Sequence, residues 1–268
     1  MTVRCIDIET TGTDPAKDTV VEIGSVDLQR DGTISNQRSA LISPGIHMPA
    51  EASAVHHLVD QDFAGAAQID QVIELFRGAD AYVAHNCNFE RSFLERHLGD
   101  PVWVCTYKCA LRLWPDLTSH GNQALRYHFG LINPFGIDRA TLVPHRALSD
   151  AIVTAAIFFE IAKHATWPQL VRWSYEPALM TYLRFGMHRG ERFDAVPEDY
   201  LQWLVQGNHD LSEDVQFSAR YWLEQSALRK GPDYGRINFV PAGEKWLRHF
   251  PCDRCRKRGK SSKPCDGG

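Results

Sequence analysis

The residues best suited to chemistry fall in three short, widely separated stretches: "CIDIETTG" (5–12), "VAHNCNFER" (83–91) and "HRALSDA" (145–151). In the first, Asp7 and Glu9 interrupt an apolar run. Residues two apart on a strand share a face, so both carboxylates lie side by side while Ile6 and Ile8 point the other way. Two unit charges about 4 Å apart repel by roughly 4 kcal/mol at an effective dielectric near 20. Burial adds to that cost unless the charges are paired or bind a metal. One reading is therefore a solvated strand end paired with a neighbouring cation such as Arg4. The other is a ligand set, and the remaining stretches bear on it. Glu90 opens a helical segment, and Asp150 enters a long apolar helix with His145 five residues before it. Four converging carboxylates carry about −4, which two Mg²⁺ or Mn²⁺ ions neutralise through the oxygen ligands that hard cations take. Two such ions about 4 Å apart clamp an in-line phosphoryl displacement.

These residues need a scaffold. Apolar alternation marks strands at 3–9, 20–28 and 39–44, and the short polar links "TGTDPAKD" and "QRDGT" make them an antiparallel meander. A helical stretch at 69–79 leads to a fourth strand at 81–85. A helix at 88–98 carries Phe89, Phe93 and Leu94 on one face. A fifth strand at 102–107 precedes the helix "CALRLW", a segment around "QALRYHFG" and the apolar helix 147–165. Hairpin-linked strands followed by strand–helix–strand–helix define a mixed α/β layer structure. The first strand of such a meander lies centrally, so two helix openings can deliver Glu90 and Asp150 beside Asp7 and Glu9. The pattern changes around 166–176. Beyond it, 181–206 reads as a glycine-turned hairpin and a helix, and 210–227 as a helix with acids in its first turn.

Composition bounds the class. At 268 residues, 44% hydrophobic and 23% charged, the chain is long enough for a substantial core. No apolar run is long enough to span a bilayer and the opening residues carry no secretion signal, so the expected location is cytoplasmic, with no membrane partner. Seven cysteines, with Cys5, Cys87, Cys105 and Cys109 in or beside apolar segments, read as reduced core residues. Charge is unevenly spread. Residues 1–240 carry 21 basic and 30 acidic side chains, whereas residues 241–268 carry 8 and 3. A basic tail on an acidic body suits an anionic partner, or simply keeps the protein in solution.

The three motifs, in order and spacing, resemble those of the DEDDh, or DnaQ-like, 3′–5′ exonucleases over roughly residues 1–165. "DIETTG" is similar to the first motif, "HNCNFE" to the second and "HRALSD", with its H-x4-D spacing, to the third. The resemblance implies a ribonuclease H-like fold, a five-stranded mixed sheet flanked by helices, and stepwise hydrolysis from a free 3′ end to release 5′-mononucleotides. It makes Asp7, Glu9 and Asp150 metal ligands, with Glu90 assisting at the second Mg²⁺ or Mn²⁺ ion. His145 becomes the general base that takes a proton from the attacking water, a role suited to imidazole. Thr10, Thr11 and Gly12 let the backbone approach the terminal 3′-hydroxyl, with no side chain at Gly12 to clash. His56 matches a histidine of the nucleotide pocket or lies on a helix surface. Asn86 shapes the second motif, and Phe89 stacks on a base or joins the core. The family's second motif usually ends in Asp. Glu90 is one methylene longer, which bears on how well it suits the strict octahedral geometry of Mg²⁺.

Residues 185–204, with "CTYKCALRLWP" and "HRALSDAIVTAA", resemble bacterial exonuclease X-like proteins, which implies DNA as substrate. The expected organisation is an exonuclease domain at 1–168, a small C-terminal α+β module at 175–230 and a basic tail at 231–268. Arg184, His188, Arg189 and Arg192 of the module are candidates for phosphate contacts. In the tail, Cys252, Cys255, Cys265 and His249 offer a zinc set or belong to a disordered basic segment that attracts phosphates. The expected partners are single-stranded or frayed 3′ ends of DNA. RNA, a second copy of the chain, and replication or repair proteins are the alternatives. An exoribonuclease and a catalytically weak nucleic-acid-binding member of the fold are the rival functions.

Overall fold

A computed structural model describes residues 1–206 and 211–230. Five strands form one mixed sheet: β1 (Val3–Thr10), β2 (Val20–Leu28), β3 (Ile34–Leu41), β4 (Ala81–Ala84) and β5 (Val102–Cys105). The order is β3-β2-β1-β4-β5, with β1–β2 and β2–β3 antiparallel and β1–β4 and β4–β5 parallel. The carboxylate-bearing strand is thus central, as the meander requires. Nine helices accompany the sheet among the described residues: α1 (Ala50–His56), α2 (Ile69–Val72), α3 (Asn88–Leu98), α4 (Thr106–Leu113), α5 (Asn122–His128), α6 (Ala147–Ile161), α7 (Trp167–Tyr175), α8 (Glu198–Gln206) and α9 (Glu213–Lys230). This is the ribonuclease H-like arrangement. No described helix is long and apolar enough to cross a membrane.

The period-two pattern of β1 divides the core in two. Val3 and Cys5 pack with Val26, Leu28 and the apolar residues of α6 on one face. Ile6 and Ile8 pack with Ile23, Phe76, Phe93 and Leu94 on the other. Each such side chain contributes about 1.5–3 kcal/mol on burial. Helix α6 is buried at nearly every position from Ala147 to Phe158, so it is the strongest single anchor on the sheet. Cys5, Cys87, Cys105 and Cys109 are buried free thiols, as their apolar neighbours suggest.

Several boundaries depart from the sequence pattern. Strand β3 begins at Ile34, five residues before the expected start, because "ISNQR" is a largely polar edge segment with Asn36 and Gln37 exposed and no residue buried. The stretch 69–79 is α2 followed by a 3₁₀ turn at Ile73–Phe76. Helix α4 begins at Thr106, where a fifth strand was expected to continue. Residues 167–175 form α7, opened by a capping box between Thr166 and Gln169. This helix covers the edge strand β5: Ser174 Oγ accepts from Cys105 N at 2.7 Å, and Tyr175 Oη from Trp103 N at 3.3 Å. Further along, Leu183, Phe193, Val196, Leu201, Leu204 and Ala219 form a separate small core shared by α8, α9 and the turn before them.

Candidate active site

Alternation along β1 places Asp7 and Glu9 on the face covered by α6. Arg4 lies on the opposite face. There it makes a bidentate pair with Asp27 (2.6 and 3.0 Å) and donates to the carbonyls of Phe76 and Arg77. The solvated strand end paired by Arg4 is therefore excluded. Asp7 stands opposite Gly24 in the β1–β2 register, and Glu9 opposite Glu22. Gly24 has no side chain because α6 lands on it. A Cβ there would fall 2.1 Å from Leu148 N and 2.3 Å from Ala147 C.

That landing delivers the third motif. Asp150 lies in the first turn of α6 and its Oδ2 accepts from the backbone N–H of His145 at 2.7 Å. The five-residue offset of the motif is thus a local hydrogen-bonded loop. His145 closes it in the left-handed region (φ 57), an uncommon conformation for a non-glycine residue and one that concentrates at functional sites. Ligand atoms of Glu9, His145 and Asp150 all lie within 4.8 Å of one another. Gln123 on α5 donates to Asp150 Oδ1 at 2.7 Å, and Arg126 Nη1 donates to Gln123 Oε1 at 3.1 Å, which fixes the amide.

Glu90, in the first turn of α3, is 3% exposed, and its Oε2 has no hydrogen-bond partner among the described residues. A buried carboxylate oxygen without a partner is costly unless a cation meets it. The charges confirm the crowding. Burial and then the neighbouring Glu90, Asp150, Glu9 and Glu22 push the Asp7 carboxyl well above its usual range. Burial, with Asp150 and Glu22, pushes Glu9 up to about 8. Burial also raises Glu90 and Asp150. This donor set, four carboxylates of which one carries an orphaned oxygen, fits hard divalent cations.

One cleft of about 470 Å³, within the range of ligand pockets, is lined by Asp7, Glu9, Glu90, His145 and Asp150 together with Thr10, Thr11, Gly12, His56 and Phe89. Asn86 is the exception among the expected residues. It is exposed and does not line the cleft, turning the chain in the left-handed region (φ 69) so that its carbonyl accepts from Phe89 N. Gly12 also has a local reason for its identity: a Cβ would meet the Asp18 carboxylate at 2.5 Å, and that carboxylate holds Thr11 Oγ1 and Asp14 N. His56 is buried. Its Nδ1 accepts from Leu58 N at 3.0 Å, which leaves Nε2 to carry the proton, and burial lowers its pKa. His85 and Asn122 line the cleft without having stood out in the sequence. Of the module's cations, Arg192 is held by Asp116 and Asp194 and His188 pairs with Glu191, whereas Arg184 and Arg189 are exposed. Cys252, Cys255, Cys265 and His249 lie outside the described residues.

A central strand with two acids is met by acids from two helix openings and a histidine on a ribonuclease H-like sheet. Residues 5–158 match the family model described as exonuclease, and the chain belongs to that family, whose members depend on divalent metal. It is 34% identical over 232 residues to exodeoxyribonuclease 10 of Escherichia coli K12, covering 84% of this chain and all of that one. It is 31% identical over 170 residues to the epsilon subunit of DNA polymerase III of Treponema pallidum, covering 59% of this chain and 75% of that one. The solved structure of exonuclease X in complex with 5′ overhanging duplex DNA superposes with a TM-score of 0.55 at 34% identity, over 64% of this chain and 99% of the other.

Proposed function

We propose that this chain is a 3′–5′ exodeoxyribonuclease that removes nucleotides one at a time from DNA 3′ ends and releases 5′-mononucleotides. The observation that carries the reading is the convergence of Asp7, Glu9, Glu90 and Asp150 with His145 on one cleft. Asp7, Glu9 and Asp150 would hold divalent ions, Mg²⁺ or Mn²⁺, with Glu90 completing the set. When bound, the ions neutralise the carboxylates and stabilise charge developing on the phosphate oxygens. The chain's own groups do the rest. His145, exposed at the cleft mouth, takes a proton from the attacking water, a contribution of about 10²–10⁴-fold. Gln123 and the His145 amide hold Asp150 against rotation. The backbone of Thr10–Gly12 meets the terminal sugar, and His56 and Phe89 flank the terminal base. Residues 1–168 form the nuclease unit and 175–230 a small module whose exposed Arg184 and Arg189 meet phosphates of the incoming strand.

A 5′-labelled DNA oligonucleotide tests this. The expected result with Mg²⁺ or Mn²⁺ is a ladder of shortened products that EDTA abolishes, with an RNA of identical sequence degraded more slowly. Asp7→Ala should eliminate the ladder while leaving the melting temperature close to that of the unsubstituted chain. An unchanged rate in that variant rejects the assignment.

A further inference from the structure

Glu22 belongs to none of the three motifs, yet it is the residue on which the third one rests. It sits on β2 directly opposite Glu9, and only 3% of its side chain is exposed. A buried carboxylate beside Glu9 adds repulsion to an already crowded face, so some gain must offset it. The offset is specific. Arg146 donates from Nε to Glu22 Oε2 at 3.0 Å and from Nη2 to Oε1 at 2.9 Å, the bidentate geometry of a strong charge-assisted pair. Ala147, the first residue of α6, donates its backbone N–H to Glu22 Oε2 at 3.1 Å. Arg146, at the helix N-cap, supplies no side-chain cap of its own. The first turn of α6 is thus capped by a carboxylate from a different strand, where a negative charge also complements the helix dipole.

The two anchored residues lie between His145 and Asp150. Glu22 therefore grips the start of α6 between the general base and the metal-ligand acid, while Gly24, on the same strand, lets the helix backbone close in. We propose that Glu22, acting through Arg146 and the Ala147 amide, is a positioning residue that sets the distance of His145 and Asp150 from Asp7 and Glu9. The proposal rests on the nuclease reading above and adds a residue to it. Groups that orient metal ligands without touching the metal govern affinity and rate by about 10–100-fold, so loss of this grip is felt in both.

The test compares the full chain with Glu22→Gln, Arg146→Met and Arg146→Lys. Three quantities are measured: kcat and KM on a 5′-labelled oligonucleotide, Mn²⁺ affinity from the electron paramagnetic resonance of free Mn²⁺, and thermal melting. Glu22→Gln is expected to lower kcat by about 10–100-fold and to weaken Mn²⁺ binding by about tenfold, with KM little changed. Arg146→Met should shift kcat and Mn²⁺ affinity in the same direction while leaving Glu22 buried without its cation, so Arg146→Lys, which keeps a cation at a side chain 40% exposed, is the variant that keeps the fold and recovers part of the loss. A melting temperature that falls while kcat and Mn²⁺ affinity stay at the unsubstituted values overturns the positioning role and leaves the nuclease reading intact. An unsubstituted chain that neither binds Mn²⁺ nor shortens the oligonucleotide overturns both.

Discussion

Gly24 and Leu148 approach so closely that a single methyl group does not fit between them: a Cβ on Gly24 would lie 2.1 Å from Leu148 N. The obstacle is helix backbone, so relief requires moving the start of α6 away from β2 and the sheet. Gly24→Ala is expected to cost about 3 kcal/mol, the upper end for overpacking, or roughly 6–12 °C in melting temperature. Displacement of Asp150 and His145 by about 1 Å should lower kcat by about 100-fold. Melting curves and oligonucleotide kinetics check both numbers. A variant with unsubstituted kcat shows that the contact does not set the site.

His145 holds a left-handed backbone that asparagine tolerates better than most residues. His145→Asn keeps the turn and the amide bond to Asp150 while removing the imidazole. The expected outcome is a loss of about 10²–10⁴-fold in kcat with melting temperature and KM close to the unsubstituted values. A loss under tenfold assigns the proton transfer elsewhere.

Burial raises the pKa of the Glu90 carboxyl by disfavouring its charged form, and glutamine keeps the side chain's shape without that charge. Glu90→Gln should leave melting without metal nearly unchanged. Its effect appears when Mn²⁺ is added. A tenfold loss of affinity removes about 1.4 kcal/mol of ligand stabilisation, so the Mn²⁺-induced rise in melting temperature shrinks by roughly 3–6 °C. An equal rise in both chains places Glu90 outside the metal set.

The Arg4–Asp27 pair sets an acid limit to stability. Burial disfavours the Asp27 charge, but hydrogen bonds from Arg4 and Asn36 and the charges of Arg4 and Arg38 win and hold its pKa below the ordinary carboxylate value. A folded-state pKa below the unfolded one stabilises above the unfolded value, near 3.9, and that stability is lost as pH falls through the folded value. Asp27→Asn should therefore cost about 3–5 kcal/mol near neutrality, because it leaves Arg4 buried and uncompensated. The gap between the two melting curves should narrow below about pH 4. A gap that is constant with pH refutes the linkage.

What the sequence made legible were the features that repeat or interrupt a period. Strands β1 and β2, helices α3 and α6, and the acids that break their apolar patterns were all visible, because each advertises itself within a dozen residues. Glu22 and Gly24 did not, since "VVEIGSVDL" is an ordinary strand until α6 arrives from 125 residues away. The left-handed backbone of Asn86, which turns the chain into α3, was not visible in the residue types of its motif. Helix α7 was missed although Thr166 and Gln169 carry a capping box and Trp167, Leu170, Val171 and Trp173 are apolar, since nine residues are too few to establish a helical period. The polar edge strand β3 offered almost no alternation to read.

Asp7 and Asp150 are separated by more than half of the 268 residues. A nascent chain cannot own this nuclease until α6 has docked on the sheet, and a mature one loses it as soon as that helix lifts. Destructive chemistry is thereby locked to the finished fold, and cutting power itself reports whether assembly is complete.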